Sequence, residues 1–95
     1  MKIRVTVWNE FVHEKTDEKV KKAYPAGIHT CIGNFLKGEF DITYATLEQD
    51  ENHGLSEEIL ESTDVLIWWG HCAHDQVKDE VVEKIKDRVL KGMGL

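Results

Sequence analysis

The sequence predicts an α/β fold built on a parallel sheet in strand order 2-1-3. Three observations carry that expectation. Two short segments alternate apolar and polar residues, a third is a continuous apolar run, and helix-period stripes lie among them. Strands that alternate with helices pack into a parallel sheet through right-handed crossovers.

The elements follow in order. Residues 2–8 read KIRVTVW, with Ile3, Val5 and Val7 alternating against Lys2, Arg4 and Thr6, which is a strand. Residues 9–27 form a long polar connection ending in Tyr24-Pro25-Ala26-Gly27. Ile28, Cys31, Ile32, Phe35 and Leu36 then share one helical stripe, which places Cys31 in the core. Gly38 suits the stop. Residues 40–45, FDITYA, alternate again as a second strand. The acidic stretch 48–54 reads as a turn, with His53 solvated in it. Ser56 is an N-cap for a short helix through Glu61. Residues 65–69, VLIWW, predict a strand buried on both faces. Val77, Val81, Val82, Ile85, Val89 and Leu90 line a last helix over about residues 76–91. The result is the first half of a flavodoxin-like sheet.

Order 2-1-3 leaves the third strand, with Trp68 and Trp69, as an open edge, and apolar edges are normally paired or covered. The ending KGMGL reads as a helix terminus entering another strand. The expectation is a chain cut short before a fourth strand, or a second copy supplying that strand in a homo-oligomer.

Composition narrows the function. The 95 residues carry 12 basic and 18 acidic side chains, a net charge of −6, against partnership with nucleic acid or an anionic membrane surface. No apolar run approaches the ~20 residues of a membrane span. The start, Met1-Lys2-Ile3-Arg4, shows no signal peptide. Cys31 and Cys72 form neither a disulfide framework nor a CxxC pattern, which suits a reducing cytoplasm.

Ligands of an open parallel sheet bind beyond the carboxyl ends of the strands, where the order reverses. Here that crevice lies between strands one and three. Its two loops bring Asn9, Glu10, His13 and Glu14 against Gly70, His71, Cys72, His74 and Asp75. His71 and His74 form an HxxH pair. With His13, Glu10 or Glu14 as third ligand, it makes a candidate site for a divalent metal such as zinc with an open position. The same histidines also read as surface hydrogen-bonding groups. Trp8 and Trp69 end their strands and either wall the crevice or fill the core; Trp68 reads as core. His29 faces the crevice or caps its helix. Cys72, after a strand and near a helix start, has a setting that lowers thiol pKa values, although such cysteines are usually inert. Neither GxGxxG nor GxxxxGK[ST] occurs, so no nucleotide cofactor is expected.

These residues also carry a resemblance. VTVWNEFVHEK (residues 5–15), YPAGIH (24–29), DVLIWWGHCAHD (64–75) and VLKGMGL (89–95) closely resemble the trehalose utilisation, or ThuA-like, family over essentially the whole chain. The resemblance implies a class I glutamine amidotransferase-like domain of flavodoxin-like, three-layer type, spanning residues 1–95 and matching an amino-terminal portion of the longer family members. It implies a link to uptake and breakdown of trehalose and related disaccharides. Its motif positions are Trp8, Asn9, Glu10, His13, Glu14, Tyr24, Gly27, His29, Trp69, Gly70, His71, His74 and Asp75.

The expectation is therefore a cytoplasmic protein that binds or acts on a small-molecule sugar. His13, His71, His74 and Glu10 are the acid–base candidates, and the three histidines are the metal candidates. Trp8, Asn9, Glu14, His29, Trp69, Gly70 and Asp75 are placed at the substrate. The alternatives are a non-catalytic sugar-sensing module and a domain that associates through its open sheet edge.

Overall fold

β1 (Arg4–Asn9) is the middle strand of a three-stranded parallel sheet, flanked by β2 (Asp41–Thr46) and β3 (Val65–Trp69) in the order β2-β1-β3. The computed structural model describes residues 2–95. Met1, which opens the stretch read as lacking a signal peptide, lies outside the described residues. Val7 pairs with Tyr44 and Ile67, and Trp8 with Ala45 and Trp68. The α/β class and the strand order are those expected from the sequence. The crossovers run through α3 (Ile28–Leu36) and α4 (Glu57–Glu61), and α5 (Asp79–Leu90) follows β3.

Burial along the strands reverses the expectation. β1 is the buried strand, from Val5 through Asn9, because it has a neighbour on each side. β3, read as buried on both faces, has only Leu66 fully covered, and Trp69 is 44% exposed. It lies at the sheet edge, so its apolar run lines a groove of about 550 Å³ with Val82, Ile85 and Leu95. The expected open edge is present, and so is the start of another strand beside it. Gly94 forms a parallel bridge with Val65, donating to the Asp64 carbonyl and accepting from the Leu66 amide. Gly92, at φ 113°, makes this return possible. Met93 N–H reaches the Arg88 carbonyl and Gly92 N–H the Val89 carbonyl, the Schellman arrangement that ends a helix on a left-handed residue.

One sheet face holds the main core. Trp8 stacks on Trp68 with ring centroids 3.8 Å apart, and Leu55, Leu60, Leu66, Val81, Ile85 and Met93 pack around them. Arg88 ties α5 beneath this layer by donating to the Leu60 and Thr63 carbonyls. Ser56 caps α4 as predicted, accepting from the Ile59 amide.

α3 packs against β1 and β2, but its predicted apolar stripe faces them only in part: Ile28, Ile32 and Leu36 are half-buried. Cys31 is exposed and Phe35 is 89% exposed, whereas His29 and Gly33 are buried. The helix is rotated because Gly33 is where it approaches β2. A Cβ there would sit 2.2 Å from the Tyr44 hydroxyl, so only glycine permits this contact. The long polar connection also holds structure the sequence did not reveal: α1 (His13–Thr16) and α2 (Glu18–Ala23), the second capped by Asp17. His53, expected in solvent, is 6% exposed. Its Nδ1 donates to the Leu47 carbonyl and its Nε2 accepts the Lys78 amide. The loop after β2 is thus fastened to the start of α5.

Candidate functional site

The carboxyl ends of β1 and β3 deliver two loops to one crevice, and they meet. The His13 and His71 rings lie 4.5 Å apart, centroid to centroid, although 58 positions separate them in the chain. Trp69 lies nearly parallel to His71, with an interplanar angle of 10° at 6.5 Å. His71 and Trp69 are exposed and His13 is half-buried. The carboxyl end of the sheet therefore offers one broad aromatic face and two imidazoles here.

Glu10 builds the second loop. Its main-chain N–H donates to the Trp69 carbonyl at 3.2 Å. Its Oε1 accepts the Cys72 amide at 2.8 Å and the Cys72 thiol at 3.3 Å, and Oε2 accepts the Ala73 amide at 3.1 Å. Burial pulls the Glu10 pKa upward, but the amides of Cys72, His71 and Ala73 and the thiol together outweigh it and hold the group below its ordinary value. The predicted acid–base carboxyl is thus turned into the backbone of the turn. The Cys72 thiol moves the opposite way from the expectation. Its hydrogen bond to Glu10 comes first, then burial and the Glu10 charge, and all three raise its pKa. The neighbouring carboxylate cancels what a helix start would supply.

His74 opens a short 3-10 turn, His74–Gln76, and its ring packs on Gly70. A Cβ at Gly70 would lie 2.9 Å from the His74 Cε1 and 3.0 Å from the Trp68 Nε1, so a side chain there would displace both rings. Asp75 stands exposed on the same turn. Among the described residues, no group of three or more His, Cys, Asp and Glu is arranged to hold a metal ion. His13 and His71 lie in ring contact, and His74 stands exposed on the turn beside Gly70.

The remaining predicted residues lie on the β2 side of β1, under cover. Asn9 is fully buried, Glu14 is 4% exposed and His29 is 8% exposed. Asn9 Nδ2 donates to Glu14 Oε2 at 2.5 Å and to His29 Nδ1 at 3.1 Å, while its Oδ1 accepts the Phe11 amide. Because the amide nitrogen is the donor, Nδ1 of His29 is the acceptor and its ring proton sits on Nε2. Glu14 Oε2 also accepts the Ile28 amide at 3.0 Å, which secures the start of α3. His29 neither caps α3 nor opens to solvent. Burial lowers its pKa, and the Glu14 charge offsets part of that fall. Trp8 has no exposed surface; it lies in the core, and its indole N–H donates to the His53 carbonyl. It cannot wall the crevice.

Phe11 and Tyr44 were not predicted here. Both set their rings edge-on to His29, at 5.1 and 5.7 Å. Phe11 holds a left-handed backbone (φ 55°) that the Asn9 side chain supports. The Asn9-x-Phe11 spacing was the available signal, since Asn side chains bond amides two positions on. Tyr44 had none, because its position depends on the register of β2 against β1.

No helix among the described residues is long and apolar enough to cross a membrane. No curated protein matches the chain. The ThuA family model, described as trehalose utilisation, matches residues 4–95, the span that contains both loops and all three strands. The chain belongs to the ThuA, trehalose utilisation, family.

Proposed function

We propose that this protein binds or acts on a sugar in disaccharide catabolism, at the crevice where His13, His71 and Trp69 meet. One observation carries the reading: two imidazoles from distant loops in ring contact, beside a tryptophan that is 44% exposed. The flat Trp69 face suits the apolar face of a sugar ring. Imidazoles donate and accept, so they serve hydroxyl recognition and proton transfer alike. His74, Gly70 and Asp75 complete the rim. Asn9, Glu14 and His29 form the buried wall behind His13. The two free thiols agree with a cytoplasmic setting.

Calorimetric titration with trehalose is the direct test. The expected result is saturable heat in the wild type that disappears in His71→Ala and weakens about tenfold in Trp69→Ala. No heat with trehalose or a related disaccharide overturns the reading. A zinc-like divalent ion on His13, His71 and His74 is a separate arm of the proposal. No step of the sugar reading runs through it. Zinc that fails to move the resonances of the three histidines sinks that arm alone.

The apolar groove beside β3 favours a second reading, association of copies through the sheet edge. Sedimentation at increasing concentration tests it. A monomer throughout excludes it.

A further inference from the structure

The turn that carries His71 is held in place by a residue of the other loop. Glu10 is 2% exposed, and its carboxylate takes hydrogen bonds from two successive amides and a thiol 62 and 63 positions away. Its own amide binds the Trp69 carbonyl, so main chain and side chain together grip both sides of Gly70. Successive backbone amides converging on one carboxylate form an anion-binding concavity, and charge-assisted bonds of this kind are among the stronger ones in proteins. His71 is the residue immediately before the gripped amides, and His13 is three residues after Glu10.

We propose that Glu10 is a positioning residue whose carboxylate clamps residues 71–73 so that the His71 imidazole stands against His13. This rests on the reading of those two histidines as the working pair. Only a carboxylate serves all three donors. In a glutamine, the amide nitrogen would face either the Ala73 amide or the Cys72 pair, donor against donor. The sheet does not depend on the clamp: β1 pairs with β2 and β3 through its own backbone. A merely stabilising Glu10 would lower the melting temperature when replaced and leave the two rings in contact.

The test is the nuclear Overhauser contact between the His13 and His71 ring protons in the isotope-labelled full chain, with amide exchange at Cys72 and Ala73. The wild type is expected to show the ring contact and protected amides at both positions. Glu10→Gln is expected to keep the exchange protection of the β1–β2 amides, lose the ring contact, and exchange the two turn amides on the order of tenfold faster. A folded Glu10→Gln with the ring contact intact overturns the proposal. If that variant does not fold, the wild type decides. Turn amides protected there support the clamp, and turn amides that exchange freely refute it. Loss of the ring contact in Glu10→Gln, with no trehalose binding in the wild type, supports the clamp and overturns only the sugar reading.

Discussion

The two sides of the β1 carboxyl end use similar residue types and do different things. Toward β2, Asn9, Glu14 and His29 are covered, and each finds a partner in another. Toward β3, His71 and Trp69 are open to solvent and His13 is half-open. Buried polar groups must be paired, so the covered trio is committed to holding the first loop. In the proposed reading, the open trio keeps its hydrogen-bonding capacity for a ligand. Of five histidines, His29 and His53 serve the frame, and the count alone would not have separated them from His13 and His71.

The strongest way to break the contrast is to remove the floor under both sides. Trp8→Ala deletes the ring stacked on Trp68 and the donor to the His53 carbonyl. It should cost about 3–5 kcal/mol in urea unfolding, as large-to-small core changes do. Next comes the covered trio itself. Glu14→Ala leaves the Asn9 amide and the Ile28 N–H without their acceptor. The expected loss is about 1–3 kcal/mol. A neutral Glu14→Ala would mean the trio does not hold the loop.

The sequence showed the fold more fully than the site, for a physical reason. The α3 and β3 bounds follow from period and length, which are local properties, and the strand order from the alternation of strands with helices. Which face of α3 meets the sheet depended on Gly33 fitting under Tyr44, a contact between elements that no stripe records. The meeting of His13 and His71 was legible because topology sets it: both loops leave adjacent parallel strands at the same end. The use of Glu10 was not. A buried carboxylate turned toward the crevice and one turned toward the 71–73 amides give the same sequence. Likewise, the edge position of β3 followed from the strand order, but its apolar run did not tell how much of each face the rest of the chain would cover.

Acid should weaken the two sides in separate steps. Burial sets the folded pKa of His29 below its unfolded value of about 6.5. The unfolded chain therefore takes the proton first. The His29 contribution is complete above about pH 6.5 and is lost as pH falls through the folded value. Glu10, on the β3 side, and Asp64, paired with Arg4 at the opposite end of β1, also have lowered folded values. Asp64 is held at about 2, first by its side-chain bonds to Arg4 and then by the Arg4 amide. Their contributions are complete above an unfolded value of about 4 and are lost at lower pH. Urea midpoints measured from pH 7.5 to 3 should fall in two stages, and His29→Gln should flatten the first stage only. A first stage unchanged in His29→Gln would assign it to another group.

The smallest effect on stability is expected where the effect on binding is largest. The His71 side chain is exposed, and its ring contacts are with Trp69 and His13, themselves open or half-open. Removing it creates no cavity and strands no buried polar atom. His71→Ala should therefore shift unfolding by no more than about 0.5 kcal/mol, as exposed substitutions generally do. The same change should remove the trehalose heat. Stability and binding then separate at this residue, whereas at Glu14 they fall together because the loop that positions His13 is lost. If His71→Ala instead destabilises as much as Glu14→Ala, the open trio is part of the frame and the contrast between the two sides fails.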